Sequence, residues 1–375
     1  MKLVFLGLSI TSSWGNGHAT TYRALLRALA ARGHNVTFLE RDVPWYADNR
    51  DLPSPSFCQL GLYDNLAELE TRHGALIRTA DVVVVGSYVP EGIAVGNLVQ
   101  RIAAGITAFY DIDTPVTLSR LGAGLDYLEP RQIARYDLYL SFTGGPTLER
   151  LRRRHGARCA RALYCSVDPD LYYPNAHDGP APPVDLGYLG TYSKDRQPVL
   201  DRLMLDAARR WPAGSFVVAG PQYPDGIAWP ANVTRVCHVE PADHRAFYTS
   251  SRFTLNVTRT DMVAAGFSPS VRLFEAAACR TPLISDSWPG LETLFTPGRE
   301  ILLSRHACDT LEFLRDLPEA DRRELGARAR ARVLAGHTAS HRAREFERAV
   351  AAAGGEPVRE APALTAGSTR NEARP

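Results

Sequence analysis

The order of apolar and helix-forming segments constrains this chain more than any single motif. A strand at 3–10 is followed by a helix at 18–31 and a strand at 35–39. A helix at 64–80, a strand at 81–86, a helix at 91–104, strands at 106–110 and 138–142 and a helix at 146–155 continue the pattern. Such alternation implies a parallel sheet with helices on both faces. Pro and Asp interrupt it over 168–183, a composition suited to a linker. Alternation then restarts: strand 184–189, helix 197–210, strands 215–219 and 233–236, helix 243–250, strand 253–257. The expected fold class is α/β, with two doubly wound domains facing across a cleft, at 1–167 and 184–336. A helical stretch from 319 to 353 breaks at Gly336, so 337–353 forms a last helix, and the Gly-, Pro-, Ala- and Thr-rich tail 354–375 is expected to be disordered.

Bulk composition narrows the function classes. The 375 residues suffice for two domains of ordinary size. A net charge of +2 gives no electrostatic reason to expect nucleic acid or an anionic membrane as partner. No apolar run approaches the ~18 residues of a membrane helix, and 3–10 is too short for a signal peptide, so a cytoplasmic protein is expected. The six cysteines are scattered without metal-ligand spacing and read as buried thiols.

Three segments carry chemistry. Ser268, Pro269 and Ser270 open a helix, with Ser268 read as its N-cap and Pro269 as its first residue. Free backbone N–H groups at such a start suit an anion such as a diphosphate. Arg272 and Glu275 follow on one helix face, and 281–285 reads as a buried strand. Spacing alone leaves open an exposed Arg272–Glu275 ion pair worth under ~1 kcal/mol. Gly15, Asn16, Gly17 and His18 lie between a strand and a helix, where glycine permits positive φ and close approach of a ligand. This falls short of a dinucleotide fingerprint because Thr20 replaces the third glycine, although Glu40 has the spacing of its acid. The turn holding Lys194 and Arg196 also follows a strand.

The stretch from Leu255 to Met262, through Ser268–Glu292, to Glu300 resembles the nucleotide-sugar signature of Rossmann-like two-domain (GT-B) glycosyltransferases. More narrowly, it resembles the CgeB-like, spore-maturation type of glycosyltransferase group 1. The resemblance implies a hexose transferred from a nucleoside-diphosphate sugar to a glycan, small-molecule or protein acceptor, without cofactor or metal. It implies that Glu275 binds the ribose hydroxyls, and that Lys194, Arg196 and Arg259 neutralise the diphosphate. His238 and Glu240 would lie near the base. The 15–18 loop resembles N-domain loops in which a histidine faces the cleft. His18 is then a general base, oriented by Asp111 or Asp113. A last helix returning to the N-domain is implied too, where His337 and His341 lie four apart without a third metal ligand.

The C-terminal half resembles retaining enzymes, and a His18–Asp pair resembles inverting ones; retention is expected. Asp111 and Asp113 also spell the D-x-D of metal-dependent transferases, a reading nothing else in the sequence supports. Two positions depart from the family pattern. Phe267 stands where broader group 1 transferases carry a second glutamate, and Arg280 stands where glycine is usual. These departures keep a degenerate, binding-only protein open beside an enzyme, and a nucleotide-sugar epimerase shares the same fold. Acceptor recognition is expected in N-domain loops such as 44–61.

Overall fold

In a computed structural model, described over residues 1–175 and 183–355, the two runs of alternation form two separate parallel sheets. The first contains β1 (Lys2–Gly7), β2 (Asn35–Arg41), β3 (Gln59–Tyr63), β4 (Val82–Gly86), β5 (Ile106–Asp111), β6 (Leu138–Ser141) and β7 (Ala160–Ala162). Its order is β3-β2-β1-β4-β5-β6-β7. The second contains β8 (Val184–Leu189), β9 (Phe216–Ala219), β10 (Val233–Val236), β11 (Ser251–Asn256), β12 (Leu283–Ser285) and β13 (Leu302–Leu303), ordered β10-β9-β8-β11-β12-β13. Strand order therefore reverses beside β1 and again beside β8. In open α/β sheets, ligands bind outside the carboxyl ends of the strands at such a reversal.

Local sequence explains most of this. All five residues of β4 are buried because helices cover both faces of a central parallel strand. The helices His18–Ala31 and Pro146–His155 have the expected limits. The expected helix 197–210 runs through, with one π turn at Asp201–Leu205. β3, β7, β13 and the helix Thr114–Arg120 were not expected. Each of these strands is short, and β3 and β7 lie at sheet edges where few side chains are buried. Residues 176–182 of the expected linker and 356–375 of the expected tail lie outside the described residues. Among the described residues no helix is long and apolar enough to cross a membrane.

One apolar core runs across both domains. It joins Phe5, Tyr22 and Tyr110 to Leu163, Cys165 and Val167, and continues to Leu273, Phe274 and Phe346. The final helix, Ala339–Ala353, leans on the first domain, with the Phe346 ring 5.8 Å from Phe5. Glu347 accepts from Arg32 at 2.7 Å and lies 2.8 Å from His34. His337 stacks on Phe274 where this helix begins, and Arg342 Nη2 lies 2.8 Å from its Nδ1. Burial, then the charge of Arg342, holds the His337 imidazole neutral, with its pKa pushed down to about 4.

The helix Val271–Ala278 ends in a Schellman turn. Arg280 N–H donates to Ala277 O at 2.9 Å and Thr281 N–H to Ala276 O at 3.0 Å, with Arg280 left-handed at φ +61°. Its side chain is exposed and does not line the cleft, so it adds no charge there. A side chain in this conformation costs about 1 kcal/mol. Arg280→Gly should therefore raise the free energy of unfolding by about 1 kcal/mol. Equilibrium denaturation checks this; an unchanged or lower midpoint contradicts it.

Candidate functional site

A cleft of about 520 Å³ opens between the carboxyl ends of the two sheets. That volume suits a ligand of nucleotide size. Segments after β1, β4, β5 and β6 supply one wall, and segments after β8, β9, β10 and β11 supply the other, closed by the start of the helix Val271–Ala278.

The N-terminal wall rests on a buried carboxylate. Glu40 accepts from Ser9 Oγ at 2.8 Å, Ile10 N at 2.7 Å, Thr11 N at 3.1 Å and Thr11 Oγ1 at 2.6 Å. It is fully buried and committed to shaping the loop, so it does not serve as the acid of a dinucleotide site. Asn16 is likewise occupied. Its amide donates to Ser9 O and Ser12 O, and its Oδ1 accepts from His18 N at 3.1 Å. Asn16 lines the cleft but acts by tying the loop together. Gly15 has the expected positive φ, +62°. Gly17 has an ordinary φ of −64° and open space before it, contrary to the conformational reason expected.

His18 opens the first helix and faces the cleft. Its Nε2 lies 3.8 Å from Asp113 Oδ2, and its buried Nδ1 has no partner. Burial lowers its pKa most, Asp113 opposes this and Arg259 adds to it, so the imidazole is neutral at pH 7. Asp113 accepts from Tyr88 Oη at 2.9 Å. Tyr88 is held left-handed at φ +65°, a strain that concentrates at functional sites. Asp111 departs from expectation. It does not line the cleft; it is fully buried beneath it, accepting from Tyr139 at 2.5 Å and Thr117 at 2.8 Å. Burial pushes its pKa up to about 6, against the pull of those two hydrogen bonds.

On the opposite wall, Arg196 donates from Nη2 to Thr191 O at 2.6 Å, and Arg259 stands 3.7 Å from both Asp113 Oδ2 and Asp195 Oδ2. Each keeps a buried Nε–H without a hydrogen-bond partner. A buried, unsatisfied charged donor costs more than ~1–3 kcal/mol, which an incoming anion would recover. Lys194 is exposed and lies outside the cleft lining, unlike the expectation. The strand–turn geometry aims Arg196, two residues later, inward instead.

The helix after Pro269 begins at Val271 with Ser270 as N-cap, not at Pro269 with Ser268. Ser268 is buried, and its hydroxyl meets Thr143 Oγ1 of the first domain at 2.8 Å. Pro269 and Ser270 line the cleft. Arg272 and Glu275 are both buried, which removes the exposed-ion-pair alternative. Arg272 donates to Leu189 O at 2.5 Å and Asn256 Oδ1 at 2.9 Å, bracing the β8 turn. Glu275 Oε2 accepts from Tyr248 Oη at 2.9 Å.

Phe267, left-handed at φ +49°, seals the walls together. A Cβ on Gly145 or on Gly290 would sit 2.4 Å from its ring, so only glycine fits on either side. Its carbonyl accepts from Gly144 N at 2.9 Å. The His238 ring meets Trp14 of the first domain at a tilt of 55°, with centroids 4.6 Å apart. Sequence reading missed Tyr88, Tyr248 and His244 as cleft residues. Position directly after β4 was the available signal for Tyr88; the other two sit on a short helix without a motif. Among the described residues no three His, Cys, Asp or Glu side chains are grouped to hold a metal ion. All six cysteines are free, with Cys237 and Cys308 exposed rather than buried.

Residues 196–348 match the family model described as "Glycosyl transferase-like". No curated protein sequence matches the chain. Among solved structures, sucrose-phosphate synthase from Thermosynechococcus elongatus is 18% identical, with 92% of this chain and 98% of that one covered at a TM-score of 0.67. Anabaena HepE in complex with UDP-glucose is 13% identical, covering 94% and 100% at 0.66. An alpha-glucosyltransferase in complex with UDP-glucose and DNA containing an abasic site is 14% identical, covering 93% and 98% at 0.69. The fold is thus the two-domain GT-B architecture.

Asp111 supplies a test of its buried place. Its folded pKa lies above the ordinary 3.8, so the stability it contributes is present below 3.8 and is lost as pH rises through about 6. Relative to Asp111→Asn, the wild type should lose unfolding free energy between pH 4 and pH 7. Parallel stability curves for the two proteins would contradict this placement.

Proposed function

We propose that this chain is a glycosyltransferase that moves a hexose from a nucleoside-diphosphate sugar to an acceptor hydroxyl held against the N-terminal wall. The observation that carries this is the pair of partnerless guanidinium donors, Arg196 and Arg259, in one cleft with Glu275. Charge develops on the diphosphate as the glycosidic bond breaks. Fixed cations and the free N–H groups at the start of the helix Val271–Ala278 stabilise that charge where it forms. In this reading the arginines do so without a metal, and Glu275 accepts from the ribose diol. The family match across 196–348 supports a transferase, and the UDP-glucose complexes of two fold relatives favour a uridine nucleotide. The CgeB-like branch is our finer assignment, since it tolerates the missing glutamate at Phe267. Free cysteines accord with a reducing, cytoplasmic setting.

The acceptor is assigned by what its wall lacks. Leu8, Ser13, Thr21, Tyr88, Ile112 and Phe142 line it with His18 and Asp113, and no Lys or Arg is among its described residues. A phosphate-rich acceptor needs such cations, so a neutral, hydroxyl-bearing acceptor is favoured over nucleic acid. Retention follows the likeness of the C-terminal half. One observation favours inversion instead: a neutral His18 next to Asp113 suits a general base.

Calorimetry with UDP-glucose tests the donor site. Arg196→Gln and Arg259→Gln should each weaken binding at least about tenfold, a loss of about 1.4 kcal/mol. Binding unaffected by either substitution, or no binding of UDP-glucose, UDP or GDP, overturns the reading.

A further inference from the structure

Glu275 is buried beside the donor cleft, and a buried carboxylate has several orientations unless something fixes it. The fixing group is a buried tyrosine. Tyr248, fully buried on the helix His244–Thr249, donates its hydroxyl to Glu275 Oε2 at 2.9 Å. His244 Nδ1 stands 3.8 Å from the same oxygen and 3.2 Å from Tyr172 Oη, which reaches in from the segment joining the domains. Tyr248 is itself held, since its carbonyl accepts from Thr281 Oγ1 at 2.8 Å just after the helix that carries Glu275. Tyr248 and His244 thus both stand at Oε2, and Tyr172 also reaches Glu275.

We propose that Tyr248 is a positioning residue: it fixes Glu275 by one oxygen so that the carboxylate's free edge is presented to a ribose diol. This rests on the donor-site reading above. Two consequences follow. A carboxylate that is already oriented loses no rotamer freedom on binding, so affinity gains from preorganisation. The bond from Tyr248 also replaces, on one oxygen, a hydrogen bond from water that burial has removed from the carboxylate. The tyrosine hydroxyl resists ionisation here: burial raises its pKa most, and the adjacent Glu275 charge raises it further, so it stays a donor throughout the working pH range.

The experiment compares UDP with 2′,3′-dideoxy-UDP on wild type, Tyr248→Phe and Glu275→Gln, by calorimetry. Phenylalanine keeps the ring that packs against Phe247 and deletes only the hydroxyl. Wild type should prefer UDP over the dideoxy nucleotide. Tyr248→Phe should lose about tenfold in UDP affinity, the scale of one hydrogen bond to a charged group, while its dideoxy-UDP affinity stays within about twofold. The ribose preference should then approach that of Glu275→Gln. Equal weakening toward both nucleotides assigns Tyr248 a purely structural role and overturns the proposal, as does an unchanged UDP affinity. If wild type binds both nucleotides equally, the assignment of Glu275 to the ribose fails first, and this proposal falls with it.

Discussion

Arg259 is the charge around which the molecule is arranged. It stands 3.7 Å from Asp113 of one domain and 3.7 Å from Asp195 of its own, too far from either for a hydrogen bond. A guanidinium held this way is electrostatically supported yet unsatisfied, because its buried Nε–H has no acceptor. The arrangement lasts only while the two walls stay at this separation. A shift of an ångström toward Asp113 would make a partly buried salt bridge and use up the charge that the proposed diphosphate site requires. A shift away would leave the partly buried cation with Asp195 of its own domain as its one remaining carboxylate neighbour among the described residues.

Separation is fixed by backbone and packing rather than by charge. Gly144 N–H to Phe267 O, Thr143 to Ser268 and Cys165 Sγ to Pro269 O at 3.4 Å close one seam. The Phe267 ring fills the space that only Gly145 and Gly290 leave open. The same residue explains its departure from the family pattern. This phenylalanine holds the two domains together through its ring and its carbonyl. The final helix adds a second seam through Val167 and Thr338 and through Arg342 donating to Cys165 O at 3.2 Å. Chain connection, left-handed strain at Phe267 and the shared core therefore serve one geometric end.

Most of this fold was legible because its signals are local. Alternation of buried strands and helices gave two doubly wound domains, and apolar β4 and the Gly–His loop after β1 marked the ends that matter. The edge strands β3, β7 and β13 were illegible because they are short or half-exposed and carry little apolar pattern, whereas the edge strand β10 was expected at its observed residues. The site was legible by residue type but not by depth. Asp111 and Asp113 are two residues apart, but Asp111 is the last residue of β5 and is buried beneath the cleft, whereas Asp113 lies past the strand end, before the helix Thr114–Arg120, and lines the cleft. Lys194 and Arg196 differ in the same way across a turn. Ser268 and Ser270 both have N-cap chemistry, and the choice fell to Ser270 because Ser268 is needed at the domain seam. Tyr248 had no signal at all: its importance comes from a hydroxyl 27 positions away in sequence from the carboxylate it meets.

On the proposed function, this cleft breaks a glycosidic bond to a diphosphate. The most direct measurement follows release of UDP from UDP-glucose over hours, with and without a panel of neutral sugar acceptors, and determines the anomeric configuration of the product by NMR. A retaining transferase should release UDP faster when an acceptor is present and yield an α-linked product. A β-linked product would move the mechanism to His18 as the base and contradict retention alone. Tight UDP-glucose binding with no release under any acceptor would contradict the claim itself and make the chain a binding protein on a transferase fold.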